Sequence, residues 1–337
     1  MAARSEAKLA DQTPDQKEEV RPSPPPQKNE GGREDDSTEF ISKMALYDLE
    51  RADSVIKSIQ HKPEWTAADT ASFDCMHYDG NAALDHCARM LGLDQEPPHQ
   101  RILDIGSGFS GTGRYLASKY KAVVTGIELQ KRFHELAKEI TSRSDDERVR
   151  ANVRSVNADF LTLDAKDLVE PGEILHVEFD HVVSLLCIMH FSKEDRVRLF
   201  KRAHESLKIN GTFYIEDFYH RKPMTDDERT ALRDVVSCTY LPTAPEYITD
   251  TMDAEFVDAI WEDVTVQWQP IVRARAEEYR RRKDKKAELE RFYDTVAELF
   301  ERGNVGGVRL TLRKRDPEED KEKQELEFEG RMKNGSG

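Results

Sequence analysis

Apolar positions in this chain alternate between two rhythms through its middle third. Short apolar runs at 101–105, 122–127 and 153–157 read as strands, and residues 111–119 and 130–142 between them read as helices. The run 182–189 is apolar throughout except for Ser184, which predicts a strand buried on both faces at the centre of a sheet. Ser192 then caps a helix carrying Val197, Phe200, Ala203 and Leu207 at helical spacing, with Asn210-Gly211 to close it and a strand at 212–217 beyond. Upstream, residues 82–91 put Ala83, Leu84, Cys87, Ala88 and Leu91 on one helical face, and Gly92 ends it. Residues 39–60 are loosely periodic through Phe40, Met44, Tyr47, Val55 and Ile59. Strands and helices in this alternation give an α/β fold with a mostly parallel sheet.

Past residue 220 the alternation breaks. Residues 221–260 hold Pro223, Pro242 and Pro245, several aromatics and no clear strand, which predicts a helical cap over the strand ends. Residues 264–268 alternate like a strand. A long helix is predicted over 275–301, with Leu289, Phe292, Val296, Leu299 and Phe300 as its apolar face and the charge run 280–286 as a solvated face. Val308, Leu310 and Leu312 alternate in a closing strand at 307–312. Residues 1–37 are rich in Pro, Glu, Lys, Asp and Gln and cannot bury enough apolar surface to offset ordering entropy, so disorder is expected there. Residues 315–337 read as a second charged tail, leaving one folded domain over 38–314.

Charge narrows the function. The 337 residues include 51 Lys and Arg against 66 Asp and Glu, a net charge of −15, which argues against a general nucleic-acid binder. No apolar run approaches membrane-spanning length and no signal-peptide core precedes the domain, so no membrane contact and a cytoplasmic location are expected. Cys75, Cys87, Cys187 and Cys238 form neither a CxxC nor a Cys/His zinc spacing, and no metal is expected.

The chemistry concentrates at 101–111, Arg-Ile-Leu-Asp-Ile-Gly-Ser-Gly-Phe-Ser-Gly. A strand runs into glycines at GxGxxG spacing and a helix follows, the context in which backbone can approach a ligand closely. Asp104 stands two residues before Gly106. An acid there would repel a pyrophosphate at the helix N-terminus and welcomes the cationic end of an amino acid. Glu128 closes the next strand at the distance expected of a ribose-binding acid, and Asp159-Phe160, after Asn157-Ala158, offers an acceptor and an aromatic face to an adenine. Over residues 75–220 this set resembles the class I S-adenosyl-L-methionine (SAM)-dependent methyltransferases. The resemblance implies SAM as cofactor, held around Asp104, Gly106, Ser107, Gly108, Glu128, Leu129, Asp159, Phe160 and Ser184. It also implies a Rossmann-like seven-stranded sheet, helices on both faces, with the last strand inserted antiparallel.

Three further stretches resemble the phosphoethanolamine and sarcosine/dimethylglycine N-methyltransferases and extend the likeness over about 40–314. They are Cys187-Ile188-Met189-His190-Phe191, Tyr47-Asp48 with Arg51-Ala52-Asp53, and 238–247 leading to Glu262-Asp263-Val264-Thr265 and Trp268. The resemblance implies a catalytic pair of His190 and Tyr47. An imidazole, with an ordinary pKa of roughly 6.5, can take the proton an ammonium acceptor must lose. It also implies that the turn His77-Tyr78-Asp79-Gly80 touches the methionine end of the cofactor through Tyr78; helix capping is the other reading of that turn. Tyr219, Tyr240, Tyr247 and Trp261 are candidates for an aromatic acceptor wall, or for plain packing.

Two departures stand out. Leu186 occupies the place of an aspartate that contacts the substrate amine, and Ser237-Cys238-Thr239 carries no charge where a base is expected. Arg233, Arg273, Arg275 and Arg309 are the basic residues that could substitute. The expected function is methylation of a small amine or amino acid at nitrogen. O-, S- or C-methylation of another small metabolite, or SAM binding without turnover, are the alternatives.

Overall fold

In the computed structural model, residues 49–74, 76–95, 97–164 and 178–319 are described; Tyr47 and the expectations for 1–37 and 320–337 lie outside them. Helices α1 (Leu49–Ile59), α2 (Ala67–Asp74) and α3 (Gly80–Met90) lead into β1 (Arg101–Ile105). Next come α4 (Gly111–Tyr120), β2 (Val123–Glu128), α5 (Lys131–Ser142), α6 (Glu147–Asn152), β3 (Val153–Asn157) and β4 (Phe179–Leu185). A single 3-10 turn, Ile188–His190, precedes α7 (Lys193–Ser206) and β5 (Leu207–His220). The last third holds α8 (Asp226–Val236), α9 (Ala244–Asp253), β6 (Phe256–Asp263), α10 (Thr265–Arg281), α11 (Ala287–Arg302) and β7 (Val305–Lys314).

Among the described residues the strands form one sheet of seven, in the order β3-β2-β1-β4-β5-β7-β6. The first five are parallel, and β7 runs antiparallel between β5 and β6. Strand periodicity explains why both faces are dry. Leu103 and Val182 face Leu199, Phe200 and Ala203 of α7 on one side, while Ile102 and Val183 face Cys87, Ala88 and Leu116 of α3 and α4 on the other. Each such side chain, at 0% exposure, contributes about 1.5–3 kcal/mol relative to leaving it in water. The cap docks through a close approach: a Cβ on Gly307 of β7 would lie 2.1 Å from the Trp268 ring, so only glycine lets α10 seat there.

Local chemistry sets the helix starts. Ser192 accepts from the Asp195 amide to open α7, and capping boxes of Thr225 with Glu228 and Thr243 with Glu246 open α8 and α9. No helix of the described residues is long and apolar enough to cross a membrane.

Several expectations are corrected. The sixth strand is 256–263, beginning inside the stretch 221–260 read as a strand-free cap, and 264–268 instead opens α10. Val264 and Trp268 are buried one helical turn apart, whereas Val266 is 83% exposed, which fits a helix and not a strand. The helix expected over 275–301 is two helices, and 282–286 of the charge run form the turn between them. α7 stops at Ser206, so Asn210-Gly211 lies within β5 and does not close the helix. β6 is an edge strand whose register slips between Val257 and Ile260, with Asp258 at φ 53°.

Candidate functional site

Connections leave β1 toward β2 on one side and β4 toward β5 on the other. The carboxyl ends of β1 and β4 therefore face a crevice with no chain crossing it, the place where α/β sheets bind ligands. A cavity of about 940 Å³ opens there.

At the floor, β1 ends in the glycine turn. Gly106 has φ 74° and Gly108 φ 53°, both left-handed. The Gly106 and Ser107 amides each donate to the Ile127 carbonyl at 3.0 Å, pinning the turn to β2. A Cβ on Gly106 would stand 2.2 Å from Cys187 Sγ, so backbone conformation and space both require glycine. Glu128, at the end of β2, accepts from the Gly108 and Gln130 amides at 2.8 Å each, and burial raises its pKa. Asp104 is 3% exposed; burial pushes its carboxyl up to about 7, with His77 pulling the other way and Glu128 adding to the rise. At one end, Asp159 accepts from the Leu161 amide at 2.9 Å beside the buried ring of Phe160, and Leu129 lies nearby on the cavity wall.

At the other end stands the 3-10 turn with His190. Its Nδ1 lies 3.1 Å from the Ser237 carbonyl, a contact that requires Nδ1 to carry the hydrogen. Its Nε2 is buried with no partner among the described residues. Burial lowers the His190 pKa, and the Ser237 carbonyl opposes that only in part. Tyr78 forms the adjoining wall. It stacks on Phe218 at 6.1 Å between centroids, carries the Arg275 guanidinium 4.8 Å over its ring, and has its phenol pKa raised by burial.

Asp104, Gly106, Ser107, Gly108, Glu128, Leu129, Asp159, Phe160, Tyr78 and His190 thus line one cavity. Five candidates, Ser184, Tyr219, Tyr240, Tyr247 and Trp261, do not line it. Ser184 is 0% exposed and donates to the Ile105 carbonyl at 3.2 Å, tying β4 to β1. Tyr219 donates to Asp263 at 2.8 Å and packs edge-on against Trp261. Tyr247 is buried with its hydroxyl 3.4 Å from Asp217, and Tyr240 donates to Glu246 at 2.6 Å under Arg196. Each of these hydroxyls finds a carboxylate outside the cavity: Tyr219 links β5 to β6, Tyr240 closes on α9 within the cap, and Tyr247 ties α9 to β5. Of the four arginines, Arg233 pairs with Asp234, Arg273 with Glu301 and Arg309 with Glu216, while Arg275 reaches the cavity. Phe218 and Tyr293 are lining residues that no sequence pattern marked; Phe292, on the apolar face already read from α11, joins them.

The sequence model of the mycolic acid cyclopropane synthetase family matches residues 71–303. The chain belongs to that family. It is a class I SAM-dependent methyltransferase, and its cofactor is S-adenosyl-L-methionine. This methyltransferase is 25% identical over 197 residues to the phosphoethanolamine N-methyltransferase of Plasmodium falciparum, across 58% of the chain and 68% of that enzyme. It is 27% identical over 185 residues to the sarcosine/dimethylglycine N-methyltransferase of Halorhodospira halochloris, across 53% of the chain and 60% of that enzyme. In fold it is similar to phosphoethanolamine N-methyltransferase 2 of Haemonchus contortus, solved with phosphomonomethylethanolamine and S-adenosylhomocysteine. The TM-score is 0.62 at 19% identity, over 83% of this chain and 60% of that one. The cavity suits the cofactor. A glycine turn with no room for a Cβ at Gly106 lies beside Ser107 Oγ, which is buried without a partner among the described residues, and a buried acid stands beneath it.

Proposed function

We propose that this methyltransferase methylates the nitrogen of a small amine or amino acid, with His190 as the base. The observation that carries the reading is the imidazole itself. Its Nδ1 is fixed on the Ser237 carbonyl, its Nε2 is buried without a partner among the described residues, and burial lowers its pKa and so favours the neutral form. SAM supplies an electrophilic methyl on a sulfonium sulfur. An amine attacks only with a free lone pair, so the acceptor ammonium must first lose a proton, and neutral Nε2 receives it. Tyr47 belongs to this reading as the partner of His190. Asp104 answers the ammonium of the methionyl end, Glu128 the ribose hydroxyls, and Asp159 with Phe160 the adenine. Gly106, Ser107 and Gly108 form the cradle, Leu129 packs beside the base, and Tyr78 closes the methionyl side. The names of the two curated relatives, both N-methyltransferases, support the acceptor class.

Purified protein with SAM, offered amines, amino acids and phospho-bases beside hydroxyl, thiol and carbon acceptors, tests the reading through release of S-adenosylhomocysteine. Turnover confined to amine nitrogens is expected. Turnover on hydroxyl, thiol or carbon acceptors and on no amine rejects it.

Asp104→Asn is expected to weaken SAM binding by about 1–3 kcal/mol, since a charged hydrogen bond is lost. The pH dependence follows from its carboxyl titrating at about 7 in the free protein. Below that pH the group is protonated, and the cationic ligand must expel the proton to bind. Wild-type affinity therefore falls as pH drops through neutrality, and the asparagine variant loses that slope. Calorimetry on both sides of neutral pH measures it.

A further inference from the structure

We propose that Arg275 is an oxyanion-binding residue of the cavity, taking the carboxylate or phosphate of a bound ligand. It lies on α10, in the last third of the chain, yet reaches the Tyr78 turn. One guanidinium nitrogen donates to the His77 carbonyl at 2.6 Å, another faces the Met76 carbonyl at 3.4 Å, and the group lies 4.8 Å over the Tyr78 ring. These contacts fix the plane of the fork and leave further N–H donors unused.

No carboxylate of the described residues forms an ion pair with it. The buried arginines each have one: Arg114 with Asp74, Arg196 with Asp250 and Arg309 with Glu216. The aromatic neighbours Phe218, Phe292 and Tyr293 bring no counter-charge to the cavity wall. A half-buried guanidinium held rigidly on a cavity wall, with N–H donors left over, is placed to meet an anionic group of a ligand.

Two ligands carry such a group. One is the methionyl carboxylate of SAM, whose ammonium would sit on Asp104 beside His77. The other is an anionic tail on the acceptor, a source that rests on the amine reading above. It would answer the missing base at 237–239.

Calorimetry on the native protein, Arg275→Gln and Arg275→Lys separates them. The ligands are SAM and decarboxylated SAM, then phosphoethanolamine, sarcosine and ethanolamine on protein saturated with S-adenosylhomocysteine. Arg275→Gln is expected to weaken an anion-bearing ligand by roughly tenfold or more, with the lysine variant between, because a bidentate charged contact is lost. Loss for SAM but not for decarboxylated SAM assigns the anion to the cofactor. Loss for phosphoethanolamine or sarcosine but not ethanolamine, with SAM unchanged, assigns it to the acceptor. Equal loss for both forms of SAM together with a lower Tm makes Arg275 a brace of the turn and overturns the proposal. So does unchanged SAM binding with no anionic amine bound in an Arg275-dependent way. The readout is binding, so the proposal can fail while amine turnover is found, and hold through SAM while it is not.

Discussion

Replacing His190 with alanine is expected to lower kcat by roughly 10²–10⁴-fold, the range for removal of a positioned general base, and to leave SAM affinity near that of the native protein. The split follows from position. His190 stands on the 3-10 turn past β4, whereas Asp104 lies in β1, Glu128 ends β2 and Asp159 follows β3. Burial depresses the imidazole pKa below its usual value of roughly 6.5, so the neutral base persists to lower pH than in free histidine. Native activity should fall as pH drops through that depressed value, and the part of the acid limb due to His190 should vanish in the alanine variant. Steady-state kinetics across pH, with a thermal melt beside them, check this. Near-native kcat at every pH would reduce His190 to packing and remove the mechanistic support for an ammonium acceptor.

A second large effect is expected in stability, from Arg309→Met. Glu216 is 0% exposed and Arg309 5%, with Arg309 Nε donating to Glu216 Oε1 at 2.7 Å and the Tyr214 hydroxyl donating to the same oxygen at 2.8 Å. Arg309 also reaches Asp79, in the Tyr78 turn, at 3.4 Å. Taking the guanidinium away leaves a carboxylate charge in the core beside an oxygen, Oε2, that already lacks a partner among the described residues. The cost should be about 3–5 kcal/mol, as for other buried pairs broken from one side. Urea unfolding measures it, and the double variant with Glu216→Gln should regain part of the loss, because the stranded charge goes too. A single-variant loss under about 1 kcal/mol would mean that solvent or another cation reaches Glu216.

What could be read from the chain was what repeated or was chemically odd. β1 with its glycines and Asp104, the apolar run 182–189 whose first half completes β4, and the Ser192 cap each carry a local signature, and the sheet follows from them. β6 was misplaced because three residues cannot separate two periods. Val264, Val266 and Trp268 alternate like a strand, yet Val264 and Trp268 are also one helical turn apart. The true β6 lies at the edge, where solvent on its outer side and a slipped register erase the alternation. Tyr219, Tyr240 and Tyr247 looked like pocket aromatics, but a tyrosine buries equally well wherever a carboxylate meets its hydroxyl. Arg275 was one of four arginines with nothing local to choose among them. Its place depends on α10 docking nearly 200 residues downstream of the turn it contacts, which Gly307 and Trp268 decide.

The slipped register of β6 bears on how the molecule keeps to itself. An outermost strand offers unpaired amides and carbonyls to any passing chain, and a straight, apolar one seeds aggregation. Here the kink at 257–260 breaks the row, Asp258 turns the backbone left-handed, and Asp258, Glu262 and Asp263 line it with carboxylates paired to Arg313, Arg309 and Arg221. An incoming strand would find neither a continuous ladder nor an apolar one. Ile260, 54% exposed at that margin, can stay in water without inviting polymerisation.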